Sequence, residues 1–353
     1  KPTSRFIGYW CQSWRNMLVS RSTGRRMLIR IISLLSGALL MAPVVTVAAN
    51  DAPIMISNLS PLAALRGLPT QRHADVQLGS IVTVSQSLSN HFTVEESGDE
   101  SLMLDGQTDV LSVSLRYGLD PDWDIEVTLP WVQHSRGFMD PLISDWHAFL
   151  GLPNGNREDY PVNELQYRLH QPRHEAALNN RVSGLGDVQV ALSRNMSLKE
   201  GPQVALSVGM KTATGEEADW LGSGATDYWA LARVSGDYSG RVPLVWHGQI
   251  GMTRAGVSDL MDLNQKRSLW FGGVSLAWPF RDKWSLLAQI DAHSALGDGN
   301  LNALTRPAGI LSMALRWHVS PKWTWDLGFS EDLVVESAPD ITFMLTARYV
   351  ASP

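Results

Sequence analysis

The chain has 353 residues, of which 44% are hydrophobic, with 29 basic and 35 acidic side chains. Seven of the basic residues and none of the acidic ones lie in residues 1–49, so residues 50–353 carry 22 against 35, a net charge of −13. This excludes a basic nucleic-acid face. The single cysteine, Cys11, lies in the first 49 residues, which excludes disulfides, thiol chemistry and thiolate metal sites from the remainder.

At the front, Arg25 and Arg26 precede the apolar run Met27–Met41, and Val47-Ala48-Ala49 precede Asn50. A basic region, an apolar core and a small-residue cleavage site predict that residues 1–49 are a presequence and cleaved signal peptide, with Met27 as the translation start. Cys11 precedes the apolar run and is no lipid attachment site. No later apolar run is long enough to span a bilayer as a helix. In residues 50–73, the stretch SNLSPLAALRGLPTQR has Ser60 as a cap, Pro61 as a first helical residue and Gly67 as a stop. Lying before the first strand, it is read as a plug entering from the periplasmic side or as a periplasmic tether.

From residue 74 the pattern alternates. Trp123, Ile125, Val127, Leu129 and Trp131 interleave with Asp124, Glu126, Thr128 and Pro130, and Leu311 to Val319, Trp323 to Phe329 and Phe343 to Tyr349 repeat the scheme. This is the signature of strands with one apolar face. Twelve such segments are predicted, at 74–86, 108–118, 123–133, 186–195, 203–213, 226–235, 241–253, 269–278, 283–294, 309–319, 322–330 and 340–350. The pattern is weakest at 226–235, where Trp229, Leu231 and Arg233 share a face. Connections alternate in length: short near 120, 196–202, 239–240, 280–282 and 320–322, long at 87–107, 134–185, 214–225, 254–268, 295–308 and 331–339. A soluble sandwich has no reason to gather its long loops at one end. A transmembrane antiparallel up-and-down β-barrel does, with short periplasmic turns, long outside loops and an even strand number, here over residues 74–350. Tyr117, Trp123, Trp278, Trp284, Trp317 and Trp323 beside the short turns suit one aromatic girdle, and Trp131, Trp270 and Phe329 the other.

The run GFMDPLISDWHAFLGLPNGNREDYPVN, with GLGDVQVALS at 184–193 and DITFMLTARY at 340–349, resembles a bacterial family of outer-membrane β-barrels catalogued as a domain of unknown function. The resemblance spans most of residues 50–353 and implies location and architecture, but no activity or ligand. Outer-membrane barrels usually finish on an aromatic read by the barrel assembly machinery; here Tyr349 is followed by four more residues.

The longest outside loop, 134–185, carries a helical signature: Asp140 as N-cap, Pro141 at the first position, Gly151 as C-terminal stop, and Leu142, Trp146, Phe149 and Leu150 on one face. Folded inward, the loop would narrow the pore and present Trp146, His147, Arg157, Asp159 and Tyr160 to a solute; otherwise it is a lid packed on itself. The inferred lumen face carries a charge ladder of Arg116, Asp187, Lys211, Arg233, Asp291, Arg316 and Arg348, which either selects solutes or pairs up and fills the lumen. The acidic loop residues Glu95, Glu96, Asp99, Glu100, Glu216, Glu217, Asp219, Glu331 and Asp332 are candidates for divalent cations bridging lipopolysaccharide, or a solvated surface.

Twelve-stranded barrel enzymes hydrolyse lipids, and Ser89-Asn90-His91 and His134-Ser135 bring the residue types of a hydrolase near each other outside any recognisable motif. His170, His174 and Glu175 are a weak metal candidate in a stretch without helical signs, and no cofactor fingerprint is present. The expected function is a passive outer-membrane channel for a small solute, with lipids, lipopolysaccharide and the assembly machinery as partners and no catalytic residues, metal or cofactor. The alternatives are a lipid-modifying barrel enzyme and a non-conducting structural barrel.

Overall fold

The computed structural model describes residues 51–76, 79–150, 156–197, 201–261, 264–334 and 338–351, apart from the side chains of residues 146, 147, 149 and 150. Three strands come first: β1 (Ser80–Ser97), β2 (Glu100–Gly118) and β3 (Trp123–Ser135). Helix α1 (Asp140–Leu150) and the short strands β4 (Gln166–Gln171), β5 (His174–Leu178) and β6 (Val182–Leu185) follow. Then come β7 (Gln189–Asn195), β8 (Gln203–Lys211), β9 (Asp227–Ser239), β10 (Pro243–Arg254), β11 (Ser268–Arg281) and β12 (Trp284–His293). A one-turn helix α2 (Asn302–Thr305), β13 (Ala308–Ser320), β14 (Trp323–Asp332) and β15 (Ile341–Ala351) complete the chain.

Twelve of these strands, β1–β3 and β7–β15, form a closed antiparallel barrel. Each pairs with its sequence neighbour, β3 pairs with β7, and the ring closes where β1 meets β15 from Ser80↔Ala351 to Asn90↔Ile341. The alternation places apolar side chains outward, where Leu115, Leu206, Ile250, Val274, Leu327 and Leu345 are exposed. The inner face carries hydroxyls and charges. Ser85 bonds Thr346 at 2.8 Å and Ser89 bonds Thr342 at 2.7 Å across the β1–β15 closure. Such inside-out polarity suits a sheet whose solvent is lipid. Aromatic side chains stack on the outer face beside the short turns, with Trp284 5.8 Å from Trp317 and Trp323 4.8 Å from Tyr349.

The predicted long connection at 87–107 is instead mostly strand, since β1 and β2 stay paired up to a turn at Gly98-Asp99. Sequence alternation faded there because this part of the hairpin stands above the apolar band, with one face in a loop core and the other polar. The hairpin β4–β5 extends the same sheet by pairing Ser101–Asp105 of β2 with Gln166–His170. His170, His174 and Glu175 therefore belong to a β-hairpin rather than a loop, and His170 and Glu175 are cross-strand partners.

The largest apolar core lies at the long-connection end. Leu102 and Leu104 of β2, Tyr167 and Leu169 of β4, Trp220, Trp229, Leu231, Leu269, Phe271 and Leu301 pack around Leu62, Leu65 and Leu68 of the N-terminal segment. This accounts for the faint pattern of β9: Trp229 and Leu231 point inward because here the interior is apolar.

Helix α1 packs elsewhere. Met139 and Ile143 are buried against Leu88 and Phe343 on the outward face of β1 and β15, together with Ile341. The start of the helix is thus held on the outer wall through Met139 and Ile143, whereas Leu142 of the predicted apolar stripe is exposed and the side chains of Trp146, Phe149 and Leu150 lie outside the described residues.

Three of the acidic loop residues are used as acceptors. Glu95 takes the Asn302 and Ala303 amides at 2.5 and 3.2 Å, Glu100 takes the Asn300 amide at 2.6 Å, and Glu217 takes the Asp259 amide at 2.6 Å. These contacts bolt neighbouring connections together, and among the described residues no cluster of three or more His, Cys, Asp or Glu is arranged to hold a metal.

Candidate functional site

The lumen is where polar side chains converge, and residues 51–76 run through it. At the short-turn end, Asp51 sits between Arg316 Nη1 (3.5 Å), His318 Nε2 (3.1 Å) and Ser285 Oγ (2.9 Å). Further along, the Ile54 amide donates to Gln289 Oε1 at 2.8 Å and Asn58 meets His293 Nε2 at 2.9 Å. At the long-connection end, Arg66 donates to Gln265 Oε1 at 3.1 Å and the Gly67 amide to Asp227 Oδ2 at 2.7 Å. The segment then returns: Gln71 bonds Asp291 at 2.7 Å, Arg72 bonds Glu126 at 2.8 Å, and the Asp75 carbonyl accepts from Arg116 at 2.6 Å. Gly67 is tightly packed, since a Cβ there would lie 3.0 Å from the Asp227 Cβ.

The charge ladder is largely neutralised within this packing. Arg116 Nε bonds Asp124 at 2.9 Å; Lys211 Nζ bonds Asp187 at 2.5 Å and Ser223 at 2.6 Å; Arg316 grips Asp326 bidentately at 2.6 and 2.7 Å. Asp291 accepts from Gln71 and from Gln289, both at 2.7 Å. Among the described residues Arg233 reaches only hydroxyls, Ser193 at 2.6 Å and Ser207 at 2.5 Å. Arg348 faces inward on β15, between Thr83 and Thr324 of the neighbouring strands.

Two cavities remain between the segment and the wall. The larger, of about 160 Å³, lies against β1–β3 and β7–β9 and mixes apolar lining from Leu65, Leu68, Val110, Val132, Trp229 and Leu231 with Ser87, Thr128 and Gln189. The smaller, of about 50 Å³, lies near the short-turn end beside Thr83, Ser114, Arg116 and Arg348. Both are lined by Met55, Arg72 and Glu126, so the Arg72–Glu126 pair stands where they meet. Arg72 Nε also reaches Glu126 at 3.0 Å, and the Ser114 hydroxyl donates to the same carboxylate at 2.6 Å.

Of the predicted constriction residues, Arg157, Asp159 and Tyr160 lie apart from this lumen. Arg157 is buried at the rim, donating to Asp140 Oδ1 at 2.6 Å, to Asn90 Oδ1 at 2.9 Å and to Asp340, and it covers the Phe92 ring at 4.8 Å. Tyr160 meets Phe92 edge-on at 5.3 Å, and Asp159 is exposed. Phe92 and Asn90 point away from the inward-facing His91 and Thr93 of β1, so Arg157 and Tyr160 pack on the outside of the hairpin and do not line the pore. The Trp146 and His147 side chains lie outside the described residues. Sequence reasoning missed Asp51, Met55, Arg66 and Arg72 because the N-terminal segment has no periodicity. Its cap-and-stop pattern at Ser60 to Gly67 was the only visible signal, and there the chain forms a tight turn.

His91 and His134 do meet, through Thr108. His134 Nε2 lies 3.2 Å from the Trp220 carbonyl, which only accepts, so that nitrogen carries the proton and Nδ1 accepts from the Thr108 hydroxyl at 2.9 Å. Thr108, having donated its one proton, accepts from His91 Nε2 at 2.9 Å and from Tyr167 at 3.2 Å. Every hydrogen-bonding position of Thr108 is taken. Trp220 supplies its carbonyl from a left-handed backbone, φ 59°, rarely adopted by such a side chain.

Among curated proteins, no relative matches the sequence. Among solved structures, the fold is similar to the COG4313 outer membrane channel from Pseudomonas putida F1, at 12% identity and a TM-score of 0.51, over 81% of this chain and 98% of that one. The NanC porin (9% identity, TM-score 0.42, 77% of this chain and 100% of that one) and the KdgM porin (8%, 0.41, 77% and 99%) are more distant. At these identities the likeness concerns the barrel fold. The family model described as protein of unknown function DUF3187 matches residues 29–350, and the chain belongs to that family.

Proposed function

We propose that the protein is an outer-membrane channel for passive movement of a small solute, its pathway the crevice between residues 51–76 and the inner wall of β1–β3 and β7–β9. One observation carries this reading: two cavities lie along the wall, with Met55, Arg72 and Glu126 common to both. The gate is thus an ion pair between the segment and the wall, in place of the 134–185 loop. The apolar outer band supports a bilayer location in contact with outer-membrane lipids, with the long connections facing outside and in reach of lipopolysaccharide.

The hydrolase alternative has less support, because the Ser89 hydroxyl bonds Thr342, Ser135 lies on the face of β3 opposite His134, and His91 and His134 both bond Thr108. The test is single-channel conductance of the full chain in planar bilayers, beside Arg72→Ala and Glu126→Gln. Each variant removes one side of the gate and is expected to raise conductance at least twofold. Wild-type silence, or currents identical in all three, would sink the reading.

A further inference from the structure

Every other strand-borne cation of the charge ladder has a partner on the wall, whether a carboxylate or, for Arg233, two serine hydroxyls. Arg348 has neither. Among the described residues, no carboxylate lies within 4.0 Å of its guanidinium and no side-chain hydrogen bond reaches it. The acids on its side of the barrel are taken, Asp326 by Arg316, and Asp51 by Arg316 and His318. A guanidinium on an inner wall without a counter-charge is costly, and its planar fork of donors fits a carboxylate in two parallel hydrogen bonds.

Arg348 opens on the smaller cavity, with Arg116 and Arg72 as further walls and the Thr83 hydroxyl on the adjoining strand. The cavity's volume of about 50 Å³ suits a headgroup and little more. Beyond Met55, Arg72 and Glu126 lies the larger cavity, lined in part by apolar side chains that suit an organic tail.

We infer that the short-turn end of the lumen is a binding site for a small organic carboxylate, its carboxylate on Arg348 and Thr83 and its tail toward Met55. That this acid is the transported solute rests on the channel reading; the binding does not.

The test is calorimetric titration of the full chain, folded in detergent, with sodium acetate, sodium benzoate and inorganic phosphate. Acetate and benzoate are expected to bind one per chain. Arg348→Gln is expected to weaken them at least tenfold, and Arg348→Lys, which keeps the charge and loses the fork, by an intermediate factor. No carboxylate binding to wild type, or equal binding to R348Q, would overturn the inference, and phosphate binding tighter than both acids would overturn the carboxylate assignment. If R348Q does not migrate as a folded barrel, R348K decides: weakened carboxylate binding supports the site and unchanged binding removes it. A chain that binds acetate and conducts no current keeps the site and loses the channel. A chain that conducts and binds no acid does the reverse.

Discussion

His73, on the returning arm of the N-terminal segment, stacks edge-on against His247 at 5.1 Å. Burial, then the charges of His247 and Arg116, hold its pKa down to about 3 from the ordinary 6.5. The unfolded or undocked chain therefore takes up a proton below about pH 6.5 that the docked one refuses until about pH 3. Docking is unaffected above that window and weakens steadily as pH falls through it. Protease cleavage within residues 51–76 is expected to rise between pH 7 and pH 4, and His73→Gln should flatten the rise; a flat wild-type profile would refute this. Arg157 offers a second case, since Arg157→Ala leaves Asp140 buried without its cation. Loss of one partner from a buried pair costs about 3–5 kcal/mol. Hydrogen exchange near Asn90 and Asp340 should accelerate accordingly. Because Arg157 packs outside the hairpin, conductance should stay at the wild-type level, and a changed conductance would return the 134–185 loop to the pathway.

At the scale of elements, the strands were legible and their ends were not. Twelve alternating segments sufficed for the barrel because every spanning strand meets lipid on one side and polar interior on the other, as Leu345 and Thr346 do on β15. Where that contrast ends, so does the signal, as it does for Ser89–Ser97 of β1 and for the whole of β4 and β5. The helix starting at Asp140 was visible from its Asp-Pro opening, but its buried contact comes from Met139 and Ile143, outside the predicted stripe, while Leu142 of that stripe is exposed. Ladder residues such as Arg116 and Arg316 were recognisable one by one, whereas Asp51 and Arg72, which set their surroundings, come from a segment with no pattern. The contrast on β15 gives a direct prediction. Leu345→Arg places a charge on the lipid face in the middle of the strand and should destabilise folding into phospholipid vesicles by about 2–4 kcal/mol. Thr346→Ser, on the inner face, should change it far less, and similar losses from both would contradict the inside-out assignment.

For the whole molecule, stability is divided between a hydrogen-bonded ring, an apolar core at the long-connection end and a segment joined to almost every part of the inner wall. Few of those joins are local: Ile54 to Gln289 and Gly67 to Asp227 link distant parts of the sequence. Deleting residues 51–76 should therefore lower the midpoint of heat-modifiable migration and slow folding several-fold, as gel shift over time would measure. Folding at the wild-type rate would mean that the segment enters a finished ring.

The closure of β1 on β15 has a consequence for biogenesis. Only a few residues separate Val76 from Ser80, the first residue of a seam strand, so the segment cannot wait far from the seam. Its anchors on Arg316, Gln289 and Asp227 belong to strands that precede β15 in the chain. While the sheet is still an open trough, those side chains face its hollow and can receive the segment from the side, without threading. On that order of events residues 51–76 would act as a mandrel around which the trough curls, and the slower folding expected on deleting them is the outcome that would bear this out.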